Sequence, residues 1–200
     1  MLLGDAAGSD ERRCDALESR VSMSVFDTDI ASGWLSRDEL DNARERLPMI
    51  YVEAIPVRVD DHGNICDLGL LLRPRPDGSI SHSLVSGRVL YGERIRAALV
   101  RHIEKDLGPV ALPRLPVNPV PFTIAEYFPD ESVSGFVDPR QHAVSLVYIV
   151  TVTGECQPTQ SALDLRWISP HEALSEDLAA DMSGGQHRLI IAALAHAGTI

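Results

Sequence analysis

The feature that most restricts this chain is the apolar run AVSLVYIVTV at residues 143–152. It is about half the ~20 residues a helix needs to cross a bilayer, so it is expected as a buried central strand over residues 143–153 and not as a membrane anchor. The rest of the pattern supplies what such a strand packs with. From Tyr51 the apolar residues alternate (Val52, Ala54, Pro56 or Val57, Val59) up to a turn at residues 60–64, and a second strand is expected over 66–73. The following RPRPDG, residues 73–78, combines proline with Asp-Gly and has to be a turn.

Residues 93–107 change to helical spacing. Ile95, Ala98 or Leu99, His102 or Ile103, and Leu107 form one stripe, which Gly108 and Pro109 stop. Pro113, Pro116, Pro119 and Pro121 then require an extended connection leading into residues 122–128. A short strand at 163–168 runs into Ser169-Pro170-His171-Glu172, a capping box with proline at the first helical position, which predicts a helix over 170–179. After Gly184 and Gly185 a last amphipathic helix is expected over 186–197.

At the other end, Ser36 and Glu39 form a capping box, Leu35 can staple onto Leu40, and Pro48 ends the helix. Leu40, Ala43 and Leu47 share one side, so this helix is expected to pack on the main body. Residues 1–35 show no sustained period and read as a mobile or loosely docked extension, with 36–50 as an N-terminal helix and 51–200 as the domain. The order of elements predicts an α/β sandwich on a mixed or antiparallel sheet.

Composition narrows the function. A net charge of −11 argues against nucleic acid, which is held by clustered Lys and Arg. Cys14, Cys66 and Cys156 form no paired motif, so neither a disulfide framework nor a zinc knuckle is expected. With no leader of the secretory kind in its opening residues, the chain is expected in the cytoplasm.

The chemistry-bearing segment is residues 86–108, SGRVLYGERIRAALVRHIEKDLG. Gly87, Glu93, Arg101, Ile103 and Gly108 fall at the positions of the signature of the Nudix hydrolase superfamily, which aligns here without a gap; Gly92 matches the common glycine before the glutamate. The chain resembles that superfamily from about Tyr51 to the C-terminal helix, with a late strand and capped helix, 165–174, also similar to its members. The resemblance implies a Nudix-type α/β/α sandwich with a mixed β-sheet, to which this chain adds its N-terminal helix. It also implies cleavage of a phosphoanhydride in a nucleoside diphosphate derivative, with Mg or Mn held by box carboxylates. Here the box is degenerate: Ser86 replaces a glycine, His102 and Lys105 replace metal-binding glutamates, and Asp106 stands for the last one.

On a helix His102 and Asp106 share a face and Lys105 lies beside them. An ammonium 4 Å from a divalent ion at an effective dielectric of 20 is repelled by about 8 kcal/mol. Magnesium binding is therefore expected to be weak. The resemblance makes Asp106 and Glu93 the candidate catalytic and metal-associated carboxylates, with His102 a further candidate ligand. For Glu93 a favourable charge at the helix start is the competing reading. Arg73, Arg88 and Lys105 are candidates for holding a substrate phosphate, with surface exposure as the alternative. Arg101 is expected to pair with acids of its own helix, and Glu104 to face solvent as its partner. Two functions follow from the resemblance: a divergent hydrolase of nucleoside diphosphate derivatives, or a non-catalytic module binding a nucleotide or a protein. A homodimer through the N-terminal helix is a third reading.

Overall fold

A computed structural model describes residues 34–75, 77–158 and 162–200. Of the extension expected at 1–35, residues 1–33 lie outside the described residues. Helix α1, Arg37–Arg46, starts at the capping box read from the sequence: Ser36 Oγ accepts from Glu39 N, and Glu39 accepts in return from Ser36 N at 2.8 Å. Leu40 and Ala43 rest on the core as expected, whereas Leu47, beyond the helix end, faces solvent.

Strands β1 (Met49–Val59), β2 (Ile65–Pro74), β3 (Ile80–Ser83), β4 (Val85–Arg88), β5 (Thr123–Tyr127), β6 (Ala143–Thr151) and β7 (Asp164–Ile168) form one sheet. The path is β3-β2-β1-β6-β5, with β4 on β1 and β7 on β2. Only β1 and β6 run parallel, Met49 opposite Ala143 through to Val57 opposite Thr151, so the sheet is mixed.

Residues 86–88 are strand. At the head of the box segment, Ser86, Gly87 and Arg88 pair with Glu53, Val52 and Tyr51 of β1. Ser and Gly carry little strand preference of their own, so this pairing comes from β1 rather than from local sequence.

The box helix α2, Ile95–Leu107, lies on one face, with Ala98, Leu99, Ile103 and Leu107 against Val52, Ala54, Leu71 and Val150. The other face packs Ile55, Leu68, Leu70 and Val147 under Ile190, Ala193 and Leu194 of helix α6, Gln186–His196. Among the described residues there are three further short helices: α3 (Glu131–Ser134), α4 (Pro170–Ala173) and α5 (Glu176–Asp181). The helix expected over 170–179 is therefore two, because Ser175 Oγ accepts from Leu178 N and caps a new start. Among the described residues no helix is long and apolar enough to cross a membrane.

Candidate active site

The start of β1 is where the sheet opens. Strand β2 pairs with the second half of β1 at Val57–Leu68, and β4 takes the first half at Tyr51–Ala54, so the two neighbours diverge around β1. Continuing the β1–β2 register would place Arg73 level with Val52. A cavity of about 730 Å³ occupies this opening, within the usual range for a small-molecule site. Arg73, Ser86 and Lys105 line one part, Tyr51 and Glu53 its middle, and Arg140, Ser145, Tyr127 and Gln186 the remainder.

The box segment is held by a clamp. Arg101 donates from Nε and Nη2 to the two Glu93 oxygens, each at 2.7 Å, and Nη2 also donates to the Arg88 carbonyl at 2.9 Å. Glu93 Oε2 accepts from Leu90 N at 2.9 Å. Burial pushes the Glu93 carboxyl up, but Arg101 and the Leu90 N–H outweigh it and hold it below the usual carboxylate range. Both carboxylate oxygens are thus engaged within the loop-to-helix joint. Arg101 pairs with Glu93, which precedes the helix, and the Glu104 expected as its partner is exposed.

His102 is buried and turned to the sheet. Its Nε2 lies 3.0 Å from the Arg88 carbonyl, which makes it the donor, and Nδ1 is buried without a hydrogen-bond partner. Burial drives its pKa down, so the ring is neutral at pH 7. Gly87 is what admits the ring: a Cβ there would sit 1.8 Å from His102 Cε1. Gly108 ends α2 at φ 88°, a conformation that favours glycine.

Asp106 is fully buried on the same helix. Arg73 Nη2 stands 3.0 Å from its Oδ2 and Lys105 Nζ 4.0 Å from its Oδ1, while Arg73 Nε donates to Ser83 Oγ. Of the three arginine and lysine candidates, Arg73 and Lys105 therefore meet at the cavity wall. Arg88 does not: it contributes its carbonyl to the clamp, and its side chain is outside the lining.

The resemblance implies a metal, and these donors are poorly disposed to hold one. Glu93 is spent on Arg101, His102 offers a buried Nδ1 against Gly87, and Asp106 faces two cations. Among the described residues no three His, Cys, Asp or Glu side chains group so as to hold a metal ion. These residues do not fit the divalent cation as the box usually holds it.

Sequence reasoning missed Glu53. It is 2% exposed at the centre of the cavity lining, where both oxygens accept from Tyr127 Oη at 3.0 Å and Oε1 accepts from Gln186 Nε2 at 2.7 Å. Burial raises its pKa, and Ser145, Gln186 and Tyr127 offset only part of that. The alternation through Val52 and Ala54 put Glu53 on the face expected outside, and only the burial of both faces of β1 brings it into the cavity.

The mixed sheet, with the box helix on one face and the C-terminal helices on the other, is the fold of Nudix hydrolases. The chain belongs to the family described as domain of unknown function DUF4916, whose model matches residues 30–199. Its sequence is 58% identical to a Jonesia denitrificans protein whose crystal structure is described as a possible asymmetric diadenosine tetraphosphate hydrolase. That match covers 76% of this chain and 96% of the other with a TM-score of 0.74. A Nudix-family hydrolase from Clostridium perfringens, 14% identical over 76% of this chain and 97% of its own, has a TM-score of 0.52. The MutT protein of Methanosarcina mazei, 15% identical over 72% and 92%, has the same score. These two likenesses concern the fold. No curated protein matches the sequence.

Proposed function

We propose that the protein is a divergent Nudix-type hydrolase of nucleoside diphosphate derivatives or related phosphoanhydrides, in which ligand binding is kept and metal-driven turnover is greatly reduced. The observation that carries this reading is the trio at the cavity wall, Arg73 and Lys105 about the fully buried Asp106. Its net charge is positive in a chain whose total is −11. Such a pair of cations suits a diphosphate, Arg by its planar fork and Lys as a point charge. The same pair opposes a divalent ion at Asp106. The Jonesia denitrificans relative supports the substrate class.

A second reading, binding without any turnover, is favoured by the engagement of Glu93 and His102 in the clamp. One experiment addresses both. Purified protein is given dinucleoside polyphosphates, nucleoside diphosphate sugars and nucleoside triphosphates with magnesium, manganese or chelator, and both hydrolysis and binding are measured. The proposal expects binding that survives chelator together with slow metal-dependent cleavage. Binding with no cleavage gives the second reading. Rapid magnesium-dependent turnover would refute the reduced metal site, and absence of binding would refute the cavity as a nucleotide site. Cytoplasmic location and a homodimer through α1 belong to the same proposal, checked by fractionation and by sedimentation.

A further inference from the structure

The polar group at the middle of the cavity is not needed by anything described so far. Glu53 stands in the central strand, between Ile55 on its own face and Ser145 on the neighbouring β6. A carboxylate there is unfavourable for folding unless it is paired, and a hydrophobic residue would fill the position with less penalty. The chain instead builds a holder for it: Tyr127 of β5 and Gln186 of α6 each donate to it. A carboxylate has about four acceptor positions, and these two donors leave room for two more. Beside it, Ser145 is 1% exposed and also lines the cavity, and its Oγ is buried without a hydrogen-bond partner. Ser145 also opposes part of the rise that burial imposes on the Glu53 pKa.

The rest of the lining fixes what is read here. Arg73 and Lys105 line the same cavity as Glu53, whose own neighbour across the strand is Ser86 of β4. A diphosphate at those cations leaves the uncharged part of the ligand within the cavity that Glu53 lines. An acceptor with two oxygens pairs with two adjacent donors, such as the N1–H and N2 amino group of guanine or the vicinal hydroxyls of ribose.

We propose that Glu53, held by Tyr127 and Gln186 and assisted by Ser145, is the specificity-determining residue of the cavity and takes a pair of adjacent hydrogen-bond donors on the nucleoside. This rests on the reading of the cavity as a phosphoanhydride site. It adds the half of the ligand that the cations do not recognise.

The test compares Glu53→Gln with the unaltered protein by calorimetry, using GDP, ADP and inorganic pyrophosphate as probes. Glutamine keeps the shape and removes one acceptor. Losing a hydrogen bond to a charged group weakens binding by about 10- to 100-fold. The expected result is that loss for GDP with pyrophosphate unchanged. If ADP loses affinity as well, the ribose hydroxyls are read; if only GDP does, the guanine edge is. Equal losses for GDP and pyrophosphate, or no change in either, would overturn the role of Glu53 while leaving the cation site standing. Failure of pyrophosphate and both nucleotides to bind the unaltered protein would remove the cavity reading itself. Should the variant not fold, the infrared difference spectrum of the unaltered protein on adding GDP gives the answer. A shifted buried-carboxyl band is expected, and an unperturbed one would refute the contact.

Discussion

Replacing Gly87 by alanine tests whether the box helix is seated as described. The new Cβ would lie 1.8 Å from His102 Cε1 and 2.2 Å from both ring nitrogens, far inside any tolerated contact. The ring cannot slide aside, because His102 is 6% exposed and flanked on α2 by the fully packed Leu99 and Ile103. Either α2 lifts from β4 or the imidazole leaves its place. Overpacking of this kind is worth ~1–3 kcal/mol. The hydrogen bond from Nε2 to the Arg88 carbonyl is lost as well, leaving a buried N–H unsatisfied at ~1–3 kcal/mol. The carbonyl itself keeps its bond from Arg101, so no further penalty arises there. The total is about 2–6 kcal/mol, which for a domain of this size lowers Tm by about 4–24 °C. Urea unfolding followed by circular dichroism measures it. His102→Ala vacates the space the new methyl needs, so the double variant should be less destabilised than the sum of the two singles by ~1–3 kcal/mol. A Gly87→Ala protein within ~0.5 kcal/mol of the original, or strict additivity in the double variant, would refute the seating of His102.

Three other outcomes follow from the same geometry. Arg101→Met should destabilise the fold by ~3–5 kcal/mol, because it strands the buried Glu93 carboxylate. In the unaltered protein the depressed Glu93 pKa contributes stability present above its unfolded value of 4.5 and lost as pH falls through the folded one, so the penalty should shrink in acid melts. Arg73→Met should do both kinds of harm, ~3–5 kcal/mol of stability through Asp106 and a loss of pyrophosphate affinity, read by melting and calorimetry. If affinity is unchanged, Arg73 is structural only. Glu53 has the opposite sign to Glu93: its raised pKa means stability is full below 4.5 and declines as pH rises toward the folded value. Glu53→Gln should therefore gain in Tm relative to the original as pH goes from 5 to 8, and a constant difference would refute the raised pKa.

The sequence made the elements with their own local signals legible and left those made by tertiary pairing unread. The reciprocal bonds at Ser36 and Glu39, the stop at Gly108, and the apolar stripe of α2 all require only neighbours along the chain. Strands β3 and β4 are short and rich in serine, β4 with a glycine as well, and exist because β2 and β1 offer them partners. The site divides in the same way. Spacing placed Asp106 and Lys105 on one side of the helix, and they do meet at the wall with Arg73. Spacing could not show that Glu93 is taken by Arg101, that His102 is turned inward by Gly87, or that Arg88 contributes its carbonyl alone. Glu53 went unread because its partners, Tyr127 and Gln186, are distant in sequence and meet it only across the finished sheet.

The parallel pairing of β1 with β6 sets the order in which the molecule can be completed during synthesis. Met49 emerges from the ribosome long before its partner Ala143, and Val57 long before Thr151. Until then β1 can hold β2 and β4, which follow it directly, but its other edge has no strand beside it. Non-local pairing of this kind folds slowly because loop closure precedes any reward from contacts. A ribosome-bound chain ending before β6 therefore presents a bare apolar strand to chaperones, and arrest there should leave a protease-sensitive half-sheet that becomes resistant only once β6 and α6 have been made.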